Sequence, residues 1–172
     1  HLHTDHVGWN TTLESGKWVP TFKNAEYLFG KDEWKYTEQQ SSIDPHYNEF
    51  FIDSIQPIKE AGLIRLVETD EIICEEITLE PTLGHTPGHV SICIESEGMK
   101  AAITGDFLHH PSQMEKLDWE SIADWDANLA KETRRKKLKE YSEEDILVFG
   151  THFASPSAGK VIKKGDHFEF EV

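Results

Sequence analysis

The chain opens with His1-Leu2-His3-Thr4-Asp5-His6, which places four possible metal donors within six residues. Imidazole and carboxylate groups are suitable ligands for zinc, iron, manganese or cobalt, and they need no thiolate partner. A histidine-rich terminus is weak evidence when it stands alone, because such tracts also occur as surface residues or as tag remnants. The motif indicates a metal site only if further donors recur at matching places along the chain.

Three further donors each follow an apolar run that predicts a strand. His85 lies in Gly84-His85-Thr86-Pro87-Gly88-His89, Asp106 ends Thr104-Gly105-Asp106, and His152 lies in Gly150-Thr151-His152-Phe153. In layered α/β proteins, functional sites gather at the ends of strands. The recurrence of donors at these ends therefore predicts a metal site, of which the first six residues are one half.

Hydrophobic periodicity and turn residues predict a mixed α/β chain. Residues 7–30 are rich in Gly, Trp, Asn, Thr and Pro, which predicts a long loop. Asp44-Pro45 predicts a helix start, Pro57 an interruption and Gly62 the end of that helix. The run 146–149 is continuously apolar and predicts a fully buried strand. Other strands are expected at 63–67, 76–79, 90–95 and 101–104, helices at 31–36 and 126–141, and a closing hairpin at 160–164 and 167–171.

Composition limits the classes of partner. A length of 172 residues suits a single domain over 1–172, and no run approaches the roughly 18 apolar residues of a membrane span. The net charge of −15 argues against nucleic acid and anionic membranes as partners. The basic residues between 131 and 139 are interpreted as a solvated helix face. Cys74 and Cys93 do not make a disulfide framework, and Cys93 is expected to be a buried, inert thiol.

The opening motif and the three later donor segments resemble the four motifs of the metallo-β-lactamase superfamily and occur in the same order. The superfamily motifs are His-X-His-X-Asp-His, Gly-His-Thr-X-Gly-His, Gly-Asp and a late His. The details Asp-His-Val-Gly-Trp-Asn, Gly-Asp-X-X-His and Gly-Thr-His-Phe resemble the branch of methyl parathion hydrolase and related lactonases and esterases. The resemblance implies an α/β fold, a four-layer αββα sandwich. A metal motif at residue 1 leads us to expect that this sandwich is incomplete at the N-terminus.

The resemblance also implies two divalent metal ions, with zinc expected first and iron, manganese or cobalt as alternatives. It assigns the first ion to His1, His3 and His85. It assigns the second ion to Asp5, His6 and His152, with Asp106 as a ligand that bridges both ions. A hydroxide shared by two ions about 3.5–4 Å apart would attack a lactone, a carboxylic or aryl ester, or an organophosphate. Two alternatives stay open, a thioester hydrolase of the glyoxalase II type and a metal-binding fragment without catalytic activity.

Other residues receive narrower interpretations. Asp5 is also a candidate proton carrier. His109 stands where related lactonases carry a substrate-contacting Tyr, so it is a candidate general acid, with an ordinary loop histidine as the alternative. His89 is interpreted as a fold-stabilising partner of the ligands. Residues that could line a substrate pocket, with core or loop packing as the alternative, are Trp9, Asn10, Phe22 and Phe153.

The expected partner is a small ester-like molecule. A homodimer is one possible assembly, because a sheet that lacks strands exposes an edge. The cytoplasm is the favoured location, although a chain that starts inside a motif carries no information on an export signal.

Overall fold

Helices and strands alternate along the whole chain, which confirms the predicted mixed α/β class. The structure, a computed structural model, describes residues 1–172 and divides them into two units, His1–Glu68 and Thr69–Val172. The expectation of one domain over 1–172 stays a prediction. No helix combines the length and the apolar character that crossing a membrane requires.

The first unit consists of short elements around one apolar cluster in which Ile55 and Ile58 are fully buried. Strands β1 and β2 form an antiparallel hairpin, and β3 pairs in parallel with β4. The elements are α1 (Thr4–Val7), β1 (Thr11–Glu14), β2 (Lys17–Pro20), β3 (Tyr27–Gly30), α2 (Lys31–Ser41), α3 (Pro45–Phe50), a π-helical turn (Phe51–Ile55), α4 (Gln56–Glu60) and β4 (Ile64–Val67).

The predicted loop over residues 7–30 is wrong, because this segment contains three strands. The hairpin turn Ser15-Gly16 has positive φ at both residues, 51° and 80°. Two-residue turns of this kind match the right-handed twist of the strands that they join. Most residues of β1 and β2 are exposed, so the two strands lack the alternation of buried and exposed positions that marks a strand in a sequence.

The predicted start, interruption and end of the helix between residues 44 and 62 are confirmed. The Asp44 carboxylate accepts a hydrogen bond from the His46 amide at 2.8 Å, which caps α3. Before Pro57 the chain passes through the π-helical turn and then resumes as α4, so the proline interrupts the helix as predicted. Gly62 ends the helix with a φ of 69°. Helix α2 starts where expected but extends to Ser41.

The second unit is built on a six-stranded sheet in the order β10-β9-β8-β7-β6-β5. Only the β7–β8 pair is parallel. Because these two neighbours run in the same direction, the residues that follow them emerge at one edge of the sheet. The elements are β5 (Ile77–Pro81), β6 (Val90–Ser96), β7 (Met99–Ile103), α5 (Ser112–Glu115), α6 (Ala127–Glu143), β8 (Leu147–Phe149), β9 (Ala158–Lys164) and β10 (His167–Glu171).

One face of this sheet forms a core with α6, in which Ala102, Leu138 and Val148 are fully buried. The strand near 146–149 is confirmed, but its predicted burial on both faces is wrong. Leu147 and Phe149 point away from Val148 and are 36% and 39% exposed. Side chains alternate between faces along a strand, so an apolar run does not by itself indicate that both faces are covered.

The interpretation of the basic residues on α6 as a solvated face is wrong for two of them. Arg134 is buried and donates to the carbonyl oxygens of Leu117 and Trp119. Lys137 is buried and forms ion pairs with Glu80 and Glu140. Both positions fall on the helix face that also buries Leu138, so helical periodicity and not residue type decides their burial.

Leu138→Ala is expected to lower the free energy of unfolding by about 2–5 kcal/mol, because it leaves a cavity in a closed core. Leu147→Ala removes the same atoms from a partly exposed site and is the matched control, with an expected loss of about 1 kcal/mol or less. Urea unfolding measures both values. Equal losses would contradict the placement of Leu138 in the core.

Cys93 is half-buried, and desolvation together with the nearby Glu80 carboxylate raises the pKa of its thiol to about 12. The thiolate is the reactive form. At pH 8 we therefore expect exposed Cys74 to react quickly with an aryl disulfide reagent, and Cys93 to react only after unfolding. The Cys74→Ser variant should abolish the fast phase, and two equally fast phases in the wild type would contradict the prediction.

Candidate metal centre

In the first unit, the four donors of the opening motif lie close together. The ring centroid of His1 is 4.8 Å from that of His3 and 4.2 Å from that of His6. The Asp5 carboxylate oxygen Oδ2 lies 3.4 Å from His6 Nε2. The unit therefore gathers three imidazoles and one carboxylate, all from a segment of six residues.

Apolar residues next to these donors anchor the segment. Leu2 and Val7 are buried in the core of the unit. The Leu2 amide donates to a carboxylate oxygen of buried Glu33 at 2.9 Å. The Tyr47 hydroxyl lies 3.4 Å from His3 Nε2, and burial raises the pKa of this tyrosine above its usual value. A protonated Tyr47 hydroxyl can donate to His3. No feature of the sequence predicted this contact.

In the second unit, three imidazoles converge on one carboxylate oxygen. Asp106 Oδ2 lies 3.5 Å from His85 Nε2, 3.5 Å from His109 Nε2 and 3.0 Å from His152 Nε2. The side chain of Asp106 is only 4% exposed. Nitrogen and carboxylate donors that converge in this way are the set that divalent zinc prefers, so the residues present fit a metal ion.

His89 is confirmed as a fold-stabilising residue. It is fully buried, its Nδ1 lies 2.8 Å from Thr82 Oγ1, and its Nε2 accepts the Asp106 amide at 2.8 Å. Burial lowers the pKa of His89 well below its usual value, so the ring is neutral and donates through Nδ1. Gly105 has a φ of 55°, and a Cβ there would lie 2.7 Å from His89 Nε2, so this close approach requires glycine.

Asp124 is a residue of this cluster that the sequence analysis missed. Its Oδ1 lies 3.0 Å from His85 Nδ1, and its Oδ2 accepts the Ser121 amide at 3.1 Å. Burial by itself raises the pKa of a carboxyl group, but these hydrogen bonds outweigh it and hold the pKa of Asp124 below its usual value. The residue belongs to no motif and is 39 positions from His85, so only the fold brings the two together.

The other predicted residues are placed as follows. The His109 ring lies 4.9 Å from the ring of His85 and stacks on that of His152 at 5.4 Å, so His109 is part of the cluster. The neighbouring His110 is exposed.

The four pocket candidates lie in different surroundings. In the first unit, Trp9 is 81% exposed, Phe22 is also exposed, and the Asn10 carbonyl accepts a hydrogen bond from Tyr27. In the second unit, Phe153 is buried and packs edge-to-face against Phe170, with ring centroids 5.0 Å apart. Core packing therefore accounts for Phe153 without a substrate contact.

A family model described as the metallo-beta-lactamase superfamily matches residues 1–152. The chain belongs to the metallo-β-lactamase superfamily. Membership confirms the resemblance that the four motifs suggested and the fold that it implied. A search of curated proteins finds no match to the chain.

Several solved structures share the fold. A hydrolase named AbOPH matches 100% of the chain with a TM-score of 0.87 and 22% identity. AidC, a dizinc quorum-quenching lactonase, matches 88% with a TM-score of 0.76 and 20% identity. A probable metal-dependent hydrolase from Staphylococcus aureus matches 90% with a TM-score of 0.73 and 18% identity. The chain spans 62%, 56% and 54% of the lengths of these three proteins.

His89→Gln is expected to change how stability depends on pH in the metal-free protein. The pKa of His89 is lowered by folding, so below about pH 6.5 the unfolded chain binds a proton that the folded chain does not. The free energy of unfolding of the wild type should therefore decrease as the pH is lowered below this value. This group contributes up to about 1.4 kcal/mol per pH unit to the decrease.

Urea unfolding at pH 7.5 and at pH 5.5 measures this dependence. The variant should be less stable at both values, by about 1–3 kcal/mol at pH 7.5, because the Asp106 amide loses its acceptor. It should also lose less stability between the two pH values than the wild type does. Parallel losses would show that His89 does not titrate differently in the folded and unfolded states.

Proposed function

We propose that this chain carries the metal centre of a hydrolase that acts on small ester-like molecules, namely lactones, carboxylic or aryl esters, and organophosphates. The observation that carries the proposal is the convergence of three imidazole nitrogens on the buried Asp106 carboxylate. Superfamily membership supports it, and so does the similarity of the fold to a dizinc lactonase and to two other hydrolases.

The proposed cofactor is a pair of divalent ions, with zinc tested first. Ions of this kind, when bound, lower the pKa of a coordinated water and polarise a carbonyl or phosphoryl oxygen. The residues proposed to hold them are the seven donors that the superfamily resemblance assigns, namely His1, His3, Asp5, His6, His85, Asp106 and His152.

His109 is proposed to carry a proton to the leaving group. Its Nε2 lies 3.5 Å from Asp106 Oδ2, and its side chain is 25% exposed, so the ring can be reached from solvent beside the cluster. A positioned imidazole is well suited to such a transfer. The competing assignment is a ligand role, because one donor atom each of His85, Asp106 and His109 lie within 4.8 Å of one another. Asp5, whose side chain is 53% exposed, is the proposed proton carrier toward solvent.

Exposed apolar side chains next to the opening motif and next to Asp124 support a substrate with an apolar part. Trp9 closely follows the opening motif, while Ile122 and Trp125 lie on either side of Asp124, and all three are exposed. Aromatic and aliphatic side chains suit an acyl or aryl group. AidC was solved with the product N-hexanoyl-L-homoserine, so N-acyl lactones are the first substrates to test.

The proposal is tested by loading the purified chain with zinc and assaying an N-acyl lactone, an aryl ester, a phosphotriester and a thioester. Hydrolysis of at least one of the first three, lost on chelation and restored by zinc, is expected. Activity confined to the thioester would favour the glyoxalase II type. Bound zinc without turnover on any substrate would favour a metal-binding fragment.

Asp106→Asn is expected to lower turnover by about 100-fold or more and to reduce the zinc content. Loss of a residue that only hydrogen-bonds to a ligand already lowers metal affinity or activity by about 10–100-fold, and loss of a ligand should cost at least as much. Asp166→Asn, which changes an exposed carboxylate of the same unit, is the matched control. Elemental analysis gives the zinc content, and initial rates give turnover. Full zinc content and near-normal turnover in Asp106→Asn would overturn the ligand assignment.

His109→Ala is expected to lower turnover by about 100-fold while leaving the zinc content close to that of the wild type, as for a general acid. A parallel loss of zinc and turnover would instead assign His109 as a ligand. His167→Ala, in the distant β9–β10 hairpin, provides the control. Unchanged kinetics on every substrate would remove His109 from the mechanism.

A further inference from the structure

The segment 117–126 is held against the His85 motif by backbone hydrogen bonds. The Trp125 amide donates to the His85 carbonyl oxygen at 3.0 Å, and the Asp126 amide donates to that of Gly84 at 2.9 Å. A Cβ at Gly84 would lie 2.3 Å from the Ala130 backbone, so the first turn of α6 packs directly on this glycine. The segment is therefore placed by the same contacts that place His85.

Within this segment, the Asp124 carboxylate is held in one orientation. Its Oδ2 accepts the Ser121 amide at 3.1 Å, and its own amide donates to the Ser121 carbonyl oxygen at 3.1 Å. Its Oδ1 is left to face His85 Nδ1 at 3.0 Å. The side chains of His85 and Asp124 are 0% and 2% exposed, so water cannot replace either partner.

This contact determines which nitrogen of His85 carries the proton. An ionised carboxylate only accepts hydrogen bonds, so Nδ1 must be the donor. Nε2 of the neutral ring then keeps its lone pair, and Nε2 is the atom that faces Asp106 Oδ2 at 3.5 Å. A metal ligand needs this lone pair, and partners of this kind fix both the tautomer and the orientation of a ligating imidazole.

We propose that Asp124 is the positioning residue of His85, which holds the ring in the Nδ1–H tautomer and aims Nε2 at the metal. The proposal deepens the proposed function and rests on it. It differs from a purely structural role, in which Asp124 would only close the turn at Ser121. A structural role predicts a loss of stability on substitution, whereas the positioning role also predicts a change in the protonated nitrogen and in the affinity for metal.

The first test needs neither metal nor substrate. Long-range ¹⁵N–¹H spectra of the metal-free protein at about pH 8 report which nitrogen of each neutral histidine is protonated, and His85→Gln identifies the His85 signals. We expect His85 to be protonated at Nδ1 in the wild type and to populate both tautomers in Asp124→Asn. Protonation of wild-type His85 at Nε2 overturns the proposal without reference to any Asp124 variant.

The second test measures zinc affinity by competition with a chromogenic chelator. Asp124→Asn is expected to bind zinc about 10–100-fold more weakly than the wild type. Asp126→Asn is the matched control, because this neighbouring carboxylate caps α6 through the amides of Asn128 and Leu129 and does not contact His85. The control should stay within about threefold of the wild type.

Asp124→Glu separates charge from position, since it keeps the carboxylate but displaces it. We expect it to recover part of the zinc affinity lost in Asp124→Asn. Unaltered affinity and an unaltered tautomer in a folded Asp124→Asn would overturn the positioning role. If the wild type itself fails to bind zinc, the proposed function fails, and the tautomer of wild-type His85 alone decides the role of Asp124.

Discussion

The hydrogen bond from the Asp106 amide to the His89 ring holds the candidate site of the second unit together. It joins the turn after β7 to the start of β6, and Thr82, just after β5, occupies the other ring nitrogen. All three residues are buried, and an unpaired polar group there would cost about 1–3 kcal/mol. The ends of three strands are thus held together, and the Asp106 carboxylate lies within 3.5 Å of ring nitrogens of His85, His109 and His152.

That carboxylate shows why the site favours a cation. A charged group with 4% exposure is costly unless positive charge lies close to it. Protonated imidazoles or a metal ion can both supply that charge, and they compete for the same ring nitrogens. The neutral, buried ring of His89 takes no part in this competition, because both of its nitrogens already have partners. His89 therefore stabilises the arrangement of the cluster without offering a ring nitrogen to a cation.

The opening motif of the first unit is held by a different means. Leu2 and Val7 anchor it in the core of the unit, and the Leu2 amide donates to a carboxylate oxygen of buried Glu33. Because Leu2 and Val7 are direct neighbours of His1, His3 and His6, the short motif itself contains the residues that anchor these three side chains. In the second unit the donors are separated by long stretches of chain, and the sheet has to bring them together.

Local sequence predicts the candidate metal donors, because each belongs to a short motif or follows an apolar run. It also determined the Asp44 cap and the end of the helix at Gly62, which depend on neighbouring residues alone. Local sequence did not predict that Asp124 faces His85, that Arg134 and Lys137 are buried, or that residues 11–20 form a hairpin. The physical reason is that a polar side chain is buried only where a partner compensates for lost water, and those partners come from distant parts of the chain.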